Sequence, residues 1–430
     1  MSRMTRESLA GGEDSVRDID RCRNMFALGI AYWLYQRPLD ATLDFFDHYL
    51  NQQKKRPDLA SLNAKALKAG YYFGETAELF TSRYEVAPAK MPSGTYRKIA
   101  GNDAAAIGFV TAAQKAGKQL IYAGYPITPA SDLMHALARF KQFDVKMMQA
   151  EDEIAAICCA IGASFSGAIG MSGTSGPGMA LKAEAMALAV ILELPLVVVD
   201  VQRAGPSTGM PTKTEQADLL TSMYGRPGEA PVVIVAPQSP ADCFDMAIEA
   251  VRLAVHCMCP VIYLSDASLA TSAEPWMIPH LEDIPAIDIK GVTASEGKRF
   301  EPYARDPETL VRAWAVPGQE GLEHRLGGLE KDEQTGNVSY DPENHEKMIE
   351  LRAAKVAQAA SMIPPLTVEG SPEAKTLLLG WGGTYGSIAT AAQRLGQEGI
   401  EVARAHLRYL NPMPANIEQV LRQYDQGIVP

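Results

Sequence analysis

The run Leu196-Val-Val-Val-Asp-Val201, continued by Gln202-Arg-Ala-Gly-Pro-Ser-Thr-Gly-Met-Pro-Thr-Lys213, decides the fold. Its first part is apolar almost throughout and does not alternate, so it reads as a strand covered on both faces. Its second part, rich in Gly, Pro and hydroxyls, does not build a core. Five more apolar runs of the same kind flank it, at 120–123, 145–148, 168–171, 232–235 and 261–264. The segments between them read as helices. Thr128-Pro129 and Ser239-Pro240 each place an N-cap before a first-turn proline. The reading is an α/β fold with a parallel sheet, whose ligands bind beyond the carboxyl ends of the strands.

Outward from this sheet the text changes. Residues 1–23 are polar, contain Gly11-Gly12 and show no periodicity, so they read as a disordered lead-in. Residues 24–80 read as helices: Met25, Leu28, Trp33 and Leu34 recur at helical spacing, and 40–48 and 62–70 are further amphipathic segments. Residues 85–100 are expected to be a Pro- and Gly-bearing linker. The sheet domain is placed at 101–285, a Pro-, Gly- and charge-rich connecting segment at 286–370, and a smaller strand–turn–helix unit at 371–430. Strands are expected at 377–379, near 401–407 and at Ile428-Val429, and a domain ending there would be incomplete.

The 430 residues suggest about three domains. Net charge is −11 and the pI about 5.3, which argues against a nucleic-acid face. The most apolar stretch, 185–199, is broken by Glu193 and Pro195, so no membrane span is expected. The six cysteines contain no CxxC pair and fit neither a disulfide framework nor a metal cluster. Without a secretory signal, the expected compartment is the cytoplasm.

The strand ends carry the chemistry, each with two readings. Thr128, in Tyr125-Pro-Ile-Thr-Pro129, is a helix cap or a receiver of an anion at a helix N-terminus. In Gln149-Ala-Glu-Asp-Glu153 the acids complement a helix dipole, or one of them is a desolvated carboxyl for a proton relay to a basic ring nitrogen. The loop 172–178 is made of small residues but lacks the Lys-Ser/Thr step of a P-loop. Arg203 is a solvated loop residue or a bidentate carboxylate clamp. Gly380-Trp-Gly-Gly-Thr-Tyr-Gly386 has the outline of a dinucleotide fingerprint, but Trp381 sits at the tight turn, so a plain strand–helix turn is the better reading.

Taken together, Tyr125-Pro-Ile-Thr-Pro129, Gln149-Ala-Glu-Asp-Glu153, Thr174-Ser-Gly-Pro-Gly178, Arg203-Ala-Gly-Pro-Ser-Thr-Gly209 and Pro211-Thr-Lys-Thr-Glu-Gln-Ala-Asp218 resemble the α subunits of 2-oxoacid:ferredoxin oxidoreductases. Gly327-Gly-Leu-Glu-Lys331, Tyr340-Asp-Pro-Glu-Asn344 and Leu407-Arg-Tyr-Leu-Asn-Pro-Met-Pro414 extend the resemblance, which is greatest to the 2-oxoglutarate branch with a γ domain fused ahead of the α part. It implies a pyrimidine-type thiamine diphosphate domain, a transketolase C-terminal-like α/β domain that stops early, and a helical remnant of the γ domain within 1–84.

The resemblance also implies roles. Glu151 would bond the aminopyrimidine nitrogen, with Tyr125 and Pro126 beside the cofactor. Thr128 and Arg203 would hold the oxoacid carboxylate and carbonyl, and Thr208 and Thr212 would line the pocket. The diphosphate-bound Mg2+ and a [4Fe–4S] cluster would belong to a separate β subunit, because the chain has neither a GDG…N motif nor spaced cysteines. Coenzyme A, a 2-oxoacid and ferredoxin would complete the reaction, and the chain alone would be inactive. Pyruvate, branched-chain oxoacids or indolepyruvate are alternative substrates. A non-catalytic scaffold and a nicotinamide-linked dehydrogenase are the rival classes.

Overall fold

The structure, a computed structural model, describes residues 1–10, 15–77, 82–294 and 299–430. The chain divides into two compact units, Met1–Ser93 and Gly94–Pro430.

In the first unit the helices Arg23–Leu34 and Pro57–Thr76 cross closely. A Cβ on Gly29 would lie 2.0 Å from the Leu67 carbonyl oxygen, and one on Gly70 1.9 Å from that of Phe26, so the crossing requires glycine on both sides. The helix Asp40–Phe45 continues into the π-helical turn Phe46–Gln53. The expected disorder of 1–23 is overturned for the described residues. Ser2–Ser8 and Val16–Arg21 are helical, Ser15 Oγ accepts from Asp18 N at 3.2 Å, and Ile19 and Cys22 are buried with Leu62 and Ala66. A cap and two apolar anchors were enough to order a polar segment. Gly11-Gly12 lie outside the described residues.

The second unit contains β1 (Tyr96–Ala100), β2 (Leu120–Gly124), β3 (Val145–Gln149), β4 (Ile169–Thr174), β5 (Leu196–Gln202), β6 (Val233–Val235), β7 (Pro260–Asp266), β8 (Ala273–Met277), β9 (Val368–Gly370), β10 (Thr376–Trp381), β11 (Ala403–Leu407), β12 (Tyr409–Asn411) and β13 (Gln426–Ile428). The main sheet runs β12-β6-β7-β5-β4-β2-β3, parallel except for the antiparallel edge strand β12. All six expected apolar runs are strands of it. A second sheet, β13-β10-β11-β9, is parallel except for β9.

Both faces of the main sheet are covered. Val197, Val199 and Val201 enter one core with Phe109, Tyr122 and Val251, while Leu196 and Val198 enter the other with Ile157, Ala189 and Ile262. Fully burying each such side chain contributes roughly 1.5–3 kcal/mol, which is why these strands show no polar alternation.

Three expectations are corrected. The linker ends in a strand, because β1 pairs antiparallel with β8, with Tyr96 opposite Met277. The connecting segment carries the 17-residue helix Pro342–Gln358, started by Asp341, whose carboxylate accepts from Glu343 N at 2.9 Å. Thr128 does not cap a helix; the next helix, Ser131–Leu137, begins after Ala130, and Ser131 Oγ accepts from Ile127 N at 2.9 Å.

Candidate active site

The carboxyl ends of β3, β2, β4 and β5 lie side by side in that order. At about 4.8 Å per strand they span roughly 14 Å, and each delivers one of the singled-out residues.

Glu151 follows β3 and is exposed. The acids beside it are committed elsewhere. Asp152 is the N-cap of the helix Glu153–Phe165, its Oδ1 accepting from Ala155 N at 2.8 Å, and Glu153 is that helix's first residue. Helix-dipole complementation therefore accounts for Asp152 and Glu153 but not for Glu151.

Tyr125 follows β2. Its buried hydroxyl bonds Thr174 Oγ1, at the end of β4, at 2.7 Å, and burial holds its ionisation far above the ordinary tyrosine range. Gly178 makes room for this pair: a Cβ there would stand 2.0 Å from Thr174 Oγ1 and 2.4 Å from the Tyr125 hydroxyl.

Arg203 follows β5 and is buried, so it is not a solvated loop residue. Its NH1 donates to the Thr128 carbonyl oxygen at 2.6 Å, and its Nε is buried with no hydrogen-bond partner among the described residues. The loop after it is folded on itself: Ala204 N donates to Lys213 O at 2.9 Å and Gly205 N to Glu215 Oε2 at 2.8 Å. Thr208 and Thr212 are exposed on this loop, as are Pro126 and Thr128 before the next helix. The structure thus ties Arg203 to Thr128 and Tyr125 to Thr174. Among the described residues, no hydrogen bond joins the Glu151, Thr208 or Thr212 side chains to them.

Sequence reading missed Lys182, which lies fully buried between the helices Gly176–Leu181 and Ala183–Leu192. Its Nζ donates to Glu153 O at 2.8 Å and Ser172 Oγ at 3.0 Å, and stands 5.2 Å from the Tyr125 ring centre. Burial pulls its ammonium down to about 8. The available signal was a lysine that, with Glu184, is the only charge in the stretch 176–192. The buried Asp200 was also overlooked.

The glycine-rich turn after β10 is occupied by the protein itself. Gly383 N donates to Asp266 Oδ2 at 3.1 Å and Gln216 Nε2 to the Trp381 carbonyl oxygen at 3.3 Å. A Cβ on Gly382 would stand 2.1 Å from Gln216 Nε2. These glycines allow protein to approach protein, which bears out the plain strand–helix turn.

Around the strand ends, Met148, Ile154, Leu181, Met210, Leu220 and Tyr224 are each half-exposed or more. Among the described residues, no group of three His, Cys, Asp or Glu could hold a metal ion, and no helix is long and apolar enough to cross a membrane.

The family described as pyruvate flavodoxin/ferredoxin oxidoreductase, thiamine diphosphate-binding, matches residues 112–343. The 2-oxoglutarate oxidoreductase subunit KorA of Mycobacterium tuberculosis is 51% identical over 417 residues, covering 97% of this chain and 63% of that protein. The chain therefore spans less than two thirds of that relative's length. The 2-oxoglutarate synthase subunit KorA of Archaeoglobus fulgidus is 33% identical over 76% of this chain and 84% of its own. A solved 2-oxoglutarate:ferredoxin oxidoreductase from Magnetococcus marinus, with 2-oxoglutarate, coenzyme A and succinyl-CoA bound, superposes with a TM-score of 0.88 at 33% identity. That match covers 100% of this chain and 72% of the solved one.

Proposed function

The chain belongs to the α-subunit family of 2-oxoacid:ferredoxin oxidoreductases, and from that premise we propose that it supplies the pyrimidine-binding half of a thiamine-dependent active site acting on 2-oxoglutarate. The conversion takes 2-oxoglutarate, coenzyme A and two oxidised ferredoxins to succinyl-CoA, CO2, two reduced ferredoxins and a proton. The observation that carries this reading is the row of strand ends, with an uncommitted carboxyl at Glu151 and a buried guanidinium at Arg203.

These residues fit the pyrimidine end of the cofactor. Glu151 stands free of the helix its neighbours cap, so its carboxyl is available to hold a proton at a ring nitrogen. Thiamine diphosphate, when bound, supplies the nucleophilic carbon and the electron sink for decarboxylation. Tyr125 and Pro126 would wall the ring. Arg203, oriented by the Thr128 carbonyl, would clamp the oxoacid carboxylate, with the Thr128 hydroxyl beside it. Thr208 and Thr212 would face the rest of the substrate.

The exposed apolar side chains around the site suit a β subunit, to which we assign Mg2+, the diphosphate contacts and the [4Fe–4S] cluster. Ferredoxin as acceptor and the cytoplasm as compartment belong to the same proposal.

The test is anaerobic viologen reduction by the complex isolated through this chain, with coenzyme A and a panel of 2-oxoacids. Clear preference for 2-oxoglutarate is expected. Preference for pyruvate, a branched-chain oxoacid or indolepyruvate would overturn the substrate. A complex that neither binds thiamine diphosphate nor reduces viologen would overturn the enzyme reading in favour of a scaffold.

A further inference from the structure

Asp200 is the polar residue inside the apolar run that makes β5. It is fully buried, between Thr174 of β4 and Leu264 of β7. No N–H or O–H group of the described residues donates to either of its carboxyl oxygens. Gln202, two residues on along β5, shares its face of the sheet, and Gln202 Oε1 accepts from Asp218 N at 3.1 Å, which brings the Asp218 carboxyl, just ahead of the helix Leu219–Tyr224, up to that of Asp200. Two carboxyl groups in hydrogen-bond contact cannot both be ionised, because only a proton between them turns repulsion into a bond.

The surroundings decide which one carries it. The charged group acting on Asp200 is Asp218, whereas Asp218 also faces Arg203 and Glu215. Burial and the adjacent carboxyl push Asp200 well above the ordinary aspartate range. Asp218 is less enclosed and retains the nearby guanidinium.

The pair stands where the site loop begins and ends. The chain leaves the sheet at Gln202, presents Arg203, Thr208 and Thr212, and returns at Asp218. Gln202 Oε1 accepts from Asp218 N at 3.1 Å, and Gln202 Nε2 anchors on Ser265 O at 3.0 Å. The Asp218 carboxyl rests against Gly176, where a Cβ would stand 2.9 Å from either oxygen. Asp218 is thus held on three sides, by Gln202, Gly176 and Asp200.

We propose that Asp200 and Asp218 share one proton at neutral pH, carried by Asp200, and that this bond closes the base of the loop bearing Arg203, Thr208 and Thr212. Asp200 is a positioning residue that touches no substrate. Its effect on turnover rests on the function proposed above; the shared proton and the loop closure do not.

The test has three readouts. Infrared spectra of the full chain at pH 7 should contain the carbonyl stretch of a protonated aspartic acid, shifted by 13C-aspartate and missing from D200N. Trypsin should cut after the exposed Lys213 about tenfold faster in D200A, the scale of one lost buried hydrogen bond, and D200N, whose amide still donates to Asp218, should restore the slow rate. In the complex, D200A should raise KM for the oxoacid more than it lowers kcat, and D200N should restore KM and move the alkaline limb of kcat/KM to higher pH. If D200A does not fold, D218A opens the same contact. An infrared band unchanged in D200N, or D200N cut as fast as D200A, overturns the proposal. A wild-type complex without oxoacid turnover, but with the band and cleavage pattern as expected, overturns the functional reading and leaves the clamp standing.

Discussion

At the scale of single residues, the proposed chemistry turns on Glu151 being left free while Asp152 and Glu153 are used by the helix. Glu151→Gln keeps the size but cannot exchange a proton, so kcat should fall by about 100-fold or more, the scale of a lost acid–base group. The residue is exposed, so the melting temperature should be unchanged. Turnover within twofold of wild type would remove Glu151 from the mechanism. The carboxyl was visible in the sequence as one of three. The family resemblance singled out Glu151; the physical reason that it is the free one, the helix boundary at Asp152, depends on a cap only folding reveals. Arg203 shows the same limit: its type was legible, but its burial against Thr128 joins positions 75 residues apart.

At the scale of elements, the loop 203–217 carries the residues proposed to line the pocket. Gly209 has φ +51°, and a Cβ on it would stand 2.0 Å from the Ala204 carbonyl oxygen, which accepts from Met210 N at 2.9 Å. Gly209→Ala should therefore break this turn, raise KM for the oxoacid by about tenfold and cost about 1–2 kcal/mol in a denaturant melt. An unchanged KM would mean that Thr208, one residue away, does not face substrate. The sequence showed that this loop was not core. Its internal pairing, and its closure by Gln202 and Asp218, could not be inferred from composition.

At the scale of the whole chain, the segment after β8 is held to the main-sheet unit by a buried charge cluster at Glu193. Its carboxylate bonds Arg305 and, at 2.6 Å, Lys355, while Arg312 Nε donates to its carbonyl oxygen at 3.0 Å. Burial raises the carboxyl, but Lys355 and Arg305 outweigh it and hold it below the ordinary glutamate range. The stability this depression contributes is present above the unfolded value, about 4.3, and is lost as pH falls through the folded value. Glu193→Gln should destabilise the chain by about 3–5 kcal/mol at pH 7, because it strands two buried cations. The gap between variant and wild type should narrow below about pH 4.3 in thermal melts. A gap that persists unchanged in acid would mean that the loss is one of packing alone. The proposal of a shared site also predicts that the chain without a β subunit reduces no viologen.

The sequence by itself determined the parallel α/β sheet, since strands buried on both faces must be apolar throughout and helices must separate them. It also singled out the strand ends proposed to carry the chemistry, because loops so rich in glycine, proline and hydroxyls supply no apolar side chains to a core. Only the tertiary structure decided that β12 closes the main sheet from 174 residues beyond Val235 (Tyr409 pairs with it), that Glu193 gathers cations from the connecting segment, and that Asp200 meets Asp218. Each of these joins residues distant in the chain. Such contacts form only when the sheet brings them together in a dry interior, where a missing partner is costly, and no local pattern of residue types records which partner that will be.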